Sequence, residues 1–302
     1  MTTMNVGLGL PQIGPYVTSK VVRDFSARAE ELGYASLWAQ DHVFHPLAGN
    51  DNYAGVPGLV APSQYESVLS PLELLSFVAA WTDYISIGTS ALVAGYYNPV
   101  RLAQQLATID VLSGGRLLVG LGAGWSGPEH ELFGVDLPTR WDRMEEMVEA
   151  LRACWGPDPV EFSGEFFSIP PSVVRPKPVS EDGPPILAGV HAGLPSRRRL
   201  VRTFTHWNPA GLTVGQVAAG LDEVRSMQDE TAPPIEVTCR IMLQKPRTHE
   251  AELEDTFEWC FDQVAQARKA GFASVILDAA FWAGIDNPEA WLSVPDLFAS
   301  AL

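Results

Sequence analysis

The stretch from Ile85 to Trp125, ISIGTSALVAGYYNPVRLAQQLATIDVLSGGRLLVGLGAGW, leaves few folds open. An apolar run ends in small residues, and Asn98-Pro99 then opens a helix. Asn can cap the free backbone N–H groups of a first turn, and Pro lacks the one that would go unbonded. Val100, Leu102, Ala103, Leu106, Ala107 and Ile109 recur at helical period, and Gly114 supplies a left-handed stop. A second apolar run, Leu117 to Leu121, ends in Gly122-Ala123-Gly124-Trp125. Two strands joined by a crossover helix lie parallel, and parallel sheets place ligands beyond the C-terminal ends of their strands. Ser90 to Gly95 and Gly122 to Trp125 therefore share one rim. Small side chains there either admit a flat ligand against the backbone or suit tight strand packing; these residues alone leave both open.

The alternation continues along the chain. Strand-like runs at Asn5–Leu10, Ala35–Ala39, Pro185–Val190, Phe204–Trp207, Ile235–Leu243 and Ser274–Leu277 bring the number to eight. Helical periodicity marks Ser19 to Leu32, Pro71–Asp83, Trp141–Trp155, a segment from Gly193, Val214–Met227, Glu250–Ala270 and a closing segment from Glu289. Right-handed crossovers then give an α/β fold, a (β/α)8 TIM barrel, and 302 residues is a common length for one such domain. The expected domain covers 1–302, with 45–67 and 156–185 as insertion or loop regions. Phe162 to Phe167 reads as a hairpin within the second of these. Gly127 to Asp136 reads as irregular, and Phe204–Trp207 is the weakest strand.

A formal charge of −16 argues against a broad nucleic-acid or anionic-membrane surface. Three cysteines, Cys154, Cys239 and Cys260, lack metal-ligand spacing and lie in apolar segments, as buried thiols of a reducing compartment do. The N-terminal residues lack a basic stretch followed by a long apolar run, and no later run is long enough to span a bilayer. The expected location is cytoplasmic. There is no Gly-x-Ser-x-Gly elbow and no Walker sequence, and Pro11 spoils the glycines at 7, 9 and 14 as a dinucleotide fingerprint.

Candidate residues fall on the C-terminal rim of the barrel. Asp41 and His42 follow the second strand, Ser90 and Ala91 end the third, Gly122 to Trp125 the fourth, Ala188 to His191 the fifth and Asp278 the eighth. His42 can exchange a proton near neutral pH, or be a structural histidine bonded by Asp41. His42 and His45 lack a third metal ligand, and His130, His191, His206 and His249 are scattered. Arg197 to Arg199 could meet an anionic cofactor tail or form a solvated helix face. Trp38, Phe44, Tyr96, Tyr97 and Trp125 could wall a planar ring. Core packing is favoured for Trp38, and Trp125 is the best substrate-pocket residue among them.

With these residues in view, the chain resembles the luciferase-like monooxygenase family, especially members that use the deazaflavin coenzyme F420. GTSALVAGYYNPVRLAQQLATIDVLSGGRLLVGLGAGW carries most of the resemblance, with LWAQDHVF and ILAGV in support. The resemblance implies a barrel, often dimeric, with a non-proline cis peptide between Ser90 and Ala91 behind the cofactor ring. It implies Asp41, Ser90, Ala91, Gly122 and Gly124 as cofactor contacts, and backbone N–H groups of Ala188, Gly189 and Val190 on the phosphate side. It implies His42 as the residue exchanging the proton and Glu129 as a polar cofactor or substrate contact; with Trp125 from the pocket they make up the expected catalytic set. The implied activity is hydride transfer between F420 and a small organic substrate, with reduced cofactor supplied by a separate reductase or F420-reducing dehydrogenase. A two-component FMN-dependent monooxygenase and a non-catalytic ligand-binding homologue remain alternatives. Three departures stand out. Trp125 occupies the place of a catalytic Glu in the F420-dependent glucose-6-phosphate dehydrogenases, His191 interrupts the small residues after strand five, and Thr205-His206-Trp207 replaces an Asp-Gly-Trp.

Overall fold

The strands of this chain are apolar on both faces because each is buried twice, by helices outside and by other strands inside. The computed structural model describes residues 4–48, 53, 58–191, 193–209, 211–229, 231–243 and 253–302. Eight parallel strands close into a barrel: β1 (Asn5–Gly9), β2 (Ser36–Ala39), β3 (Ser86–Val93), β4 (Leu117–Gly122), β7 (Ile186–Gly189), β8 (His206–Trp207), β9 (Glu236–Met242) and β10 (Ser274–Asp278). The hairpin strands β5 (Val160–Ser163) and β6 (Ser168–Ser172) form a separate antiparallel pair. Around the barrel lie α1 (Ser19–Leu32), α2 (Pro71–Ala79), α3 (Pro99–Ser113), α4 (Gly127–Leu132), α5 (Arg140–Trp155), α6 (Leu194–Thr203), α7 (Val214–Met227), α8 (Leu253–Ala270) and α9 (Pro288–Leu297).

Trp38, Leu118, Leu187 and Ile276, from four different strands, meet inside the barrel as a cluster separate from the main core. Beside them Trp38 Nε1 donates to Ser36 Oγ at 2.8 Å, and Ser274 Oγ donates to Thr238 Oγ1 at 2.7 Å. This plug fills the barrel, as layers of inward side chains do in this fold, and leaves function to one mouth.

The local signals act as their chemistry dictates. Asn98 Oδ1 accepts from the N–H groups of Val100 and Arg101, and Gly114 ends α3 at φ +69°. Glu146 of α5 accepts the N–H groups of Glu165, Phe166 and Phe167 at 2.7–2.9 Å, which ties the hairpin to the barrel wall. The segment expected to be irregular at 127–136 instead begins with α4. Ser126-Gly-Pro-Glu129 has the spacing of a capped helix start, and Ser126 Oγ accepts from Glu129 N. Six residues are too few for periodicity to reveal. The weak strand is real but only two residues long, pairing with β7 and β9. Glu250 and His249 lie outside the described residues, as does part of the 45–67 segment. No helix among the described residues is long and apolar enough to cross a membrane.

Candidate functional site

β2 delivers Asp41 and His42 to the mouth, and consecutive residues of an extended chain face opposite ways. His42 turns inward and is buried, with Nδ1 3.1 Å from Oε1 of Glu129. Glu129 comes from the first turn of α4 and is buried as well. Its Oε1 also accepts the N–H of Val43 at 2.5 Å, and its Oε2 accepts the hydroxyl of Tyr96 at 2.9 Å. Burial alone would raise this carboxyl. The bonds from His42, Val43 and Tyr96, together with the attraction of His42, outweigh it and hold Glu129 below the usual carboxylate range. Because a carboxylate only accepts, Nδ1 is assigned a proton; in the tautomer this favours, Nε2 is left as the acceptor. That nitrogen is buried and has no hydrogen-bond partner among the described residues. Trp125 lies nearly parallel to the imidazole, 14° between planes at 5.9 Å, and Tyr65 packs on it at 4.3 Å.

The alternative in which Asp41 bonds His42 is not what forms: Glu129 makes that bond. Asp41 faces the other way, its Oδ2 accepting from Val93 N and Tyr97 Oη, each at 3.0 Å. Burial raises its carboxyl to about 6, against the pull of those two bonds and with the charge of Glu129 adding to the rise.

In β3 the register against β4 shifts between Thr89 and Leu92, and the Ser90–Ala91 peptide within that bulge is cis, as the resemblance implied. Arg240 of β9 donates from Nη1 to the Ser90 carbonyl at 2.8 Å. Its Nε donates to Asp278 Oδ2 at 2.7 Å, and its Nη2 donates to the same oxygen. The Ser90 hydroxyl is buried without a partner among the described residues. Gly122 and Gly189 close around Ala91: a Cβ on Gly189 would lie 2.9 Å from the Ala91 methyl, and one on Gly122 would lie 3.1 Å from Gly189 O. At these two positions, smallness serves packing. Ala188 is fully buried in the core, and the Val190 carbonyl accepts from Trp207 Nε1 at 2.8 Å.

The sequence-derived set therefore forms two neighbouring groups. His42 meets both Glu129 and the Trp125 ring, while Ala91, Gly122 and Gly189 form the packed bulge. Asp41 ties to the end of β3 through Val93. Tyr65 and Arg240 were missed. An arginine inside an apolar strand was a usable signal, since buried arginines are rare without a partner; Tyr65 sits in a long irregular segment that carries none. The arginines of α6 are largely committed. Arg197 pairs with Glu223, Arg199 with Asp142 and Glu145, and Arg202 with Glu145. Trp38 belongs to the barrel interior.

The sequence pattern defining the luciferase-like monooxygenases matches residues 8–293. The chain belongs to that family. An F420-dependent glucose-6-phosphate dehydrogenase of Amycolatopsis mediterranei (strain U-32) is 28% identical over 244 residues, covering 78% of this chain and 68% of the relative. An FMNH2-dependent dimethylsulfone monooxygenase of Pseudomonas putida is 30% identical over 172 residues, 56% of this chain and 46% of the relative. This luciferase-like chain also shares its fold with an F420-dependent secondary alcohol dehydrogenase solved with an F420–acetone adduct. The TM-score is 0.73 at 16% identity, over 100% of this chain and 98% of that one.

Proposed function

We propose that this luciferase-like protein is an oxidoreductase that moves a hydride between coenzyme F420 and a small organic substrate, with His42 exchanging the accompanying proton. The observation that carries the reading is the buried, unpartnered Nε2 of His42, on a ring whose other nitrogen is bonded to Glu129. A buried imidazole nitrogen without a partner among the described residues is costly unless a ligand completes it.

The neighbouring atoms suit a polar heterocycle. The unpartnered Ser90 hydroxyl can donate or accept, and the Asp41 carboxyl accepts or, once protonated, donates. Together with Ala91 and the backbone of Gly122, Gly124, Ala188, Gly189 and Val190, they are the proposed holders of the cofactor. When bound, the deazaflavin supplies hydride chemistry that no protein side chain can. The chain does the rest. Trp125 and Tyr65 cover His42 and exclude water, which would otherwise compete for Nε2. Glu129 keeps the proton on Nδ1, so Nε2 can take a proton from a substrate hydroxyl. With Nε2 protonated, the same atom gives the proton back to a carbonyl oxygen in the reverse direction.

A second reading, an FMN-dependent monooxygenase, is supported by the dimethylsulfone monooxygenase among the relatives, whose name specifies reduced FMN. In both readings a separate reductase or dehydrogenase replenishes the reduced cofactor. Titrating the purified protein with F420 and with FMN, each oxidised and reduced, separates them. Saturable F420 binding that weakens at least tenfold in Asp41→Ala is the expected result. FMN binding without F420 binding overturns the first reading in favour of the second.

A further inference from the structure

The barrel mouth holds a buried ion pair that proton exchange at His42 does not use. Arg240 and Asp278 come from neighbouring strands, and both are almost fully buried. The pair is lopsided. Asp278 takes Nε and Nη2 of the guanidinium through one oxygen, Oδ2, while Oδ1 is held by the N–H of Ala280 at 2.8 Å. Nη1 points to the Ser90 carbonyl, at the bulge of β3. Gly9 makes room for the carboxylate, since a Cβ there would stand 2.6 Å from Oδ1. Both partners also act electrostatically on the buried Tyr65 hydroxyl. Burial chiefly raises that hydroxyl well above its ordinary value, with Arg240 opposing the rise and Asp278 adding to it.

A brace of this kind contributes little to stability, because desolvating two charges offsets most of their attraction, and apolar residues of similar size often do as well. What it does supply is a fixed positive charge at the bulge, attenuated by an acid on its far side. Charges in such a dry site act more strongly than in water.

We propose that the Arg240–Asp278 pair sets the relative affinity of the barrel mouth for the reduced and oxidised forms of its redox ring. Arg240 favours the reduced form, and Asp278 tempers that preference. The inference rests on the preceding reading that the deazaflavin ring of F420 sits against the bulge. Reduction adds a hydride to the ring, and with no second proton the product carries one more negative charge. A cation beside the seat stabilises that product, and charge near the ring is a lever proteins hold over such cofactors.

The test is the ratio of dissociation constants for oxidised and reduced F420, measured by anaerobic calorimetric titration. Asp278→Asn leaves Arg240 uncompensated and shifts the ratio at least fivefold towards the reduced form. Arg240→Met leaves Asp278 uncompensated and shifts it at least fivefold the other way. The Arg240→Met, Asp278→Asn double variant, with neither charge, stays within threefold of the native ratio. A purely structural role would weaken both forms alike, so single-variant shifts of the same sign, or unchanged ratios, overturn the proposal. Should Arg240→Met fail to fold, Asp278→Asn and the double variant still decide. A native protein that binds neither form overturns the preceding reading and this one with it; native binding with unmoved ratios overturns this one alone.

Discussion

Glu129 satisfies groups from three parts of the mouth: the His42 ring, the backbone after β2 and the Tyr96 hydroxyl. Glu129→Leu strands all of them in a buried setting, and a loss of about 2–4 kcal/mol is expected in urea denaturation. Glu129→Gln keeps an acceptor and loses less. The His42 tautomer is the more specific readout: 15N shifts of the native ring show the proton on Nδ1, and Glu129→Leu yields a mixture of tautomers. Asp41 has a different consequence. Its folded-state carboxyl titrates at about 6, above its ordinary 3.8, so its contribution is most favourable below pH 4 and is lost as pH rises through 6. Asp41→Asn escapes that loss. Its stability relative to the native protein is therefore higher at pH 7.5 than at pH 4.5, by roughly 1–3 kcal/mol. Equal differences at the two pH values would refute a raised Asp41. At this scale the sequence named His42, Asp41 and Glu129 but not their pairing. Asp41 is adjacent to His42 in the chain and turns away from it, whereas Glu129 arrives on α4, more than eighty residues further on, a contact that spacing cannot reveal.

Between elements, the turn from β4 into α4 is where backbone conformation and packing coincide. Gly124 has φ +76°, and a Cβ there would lie 2.6 Å from both His130 Cε1 and Val93 Cγ1. Gly33, which ends α1 at φ +88°, has open space around its missing side chain. Gly33→Ala should cost about 1–2 kcal/mol, the intrinsic penalty of a left-handed residue. Gly124→Ala should cost more and also displace Trp125 from His42. Denaturation midpoints and tryptophan emission check both, and equal costs would contradict the crowding seen around Gly124. Elements with complete local signals were legible to within a residue or two. α3 has its Asn-Pro start and Gly stop, and α7 spans Val214–Met227 as its periodicity predicts. α4 was missed because a short helix offers a cap and little else.

The whole molecule turns eight short strands into a plugged cylinder with polar groups gathered at one end. Repetition made that architecture readable even where β8 contributes only two residues, because a closed parallel barrel needs a partner on both sides of every strand. The mouth was less readable. The long segment after β2 brings Tyr65 onto His42, and Arg240 reaches the bulge of β3 from the opposite side of the barrel. The central claim is that this mouth seats a tricyclic redox ring against Ser90–Ala91, with Nε2 of His42 facing the reacting substrate. A crystal structure of the protein soaked with oxidised F420 tests it most directly. The account predicts ring density against the β3 bulge, with Asp41 at its edge and His42 Nε2 open to the exposed ring face. Density for the ring elsewhere, or a ring that buries Nε2 away from any space for substrate, would contradict it.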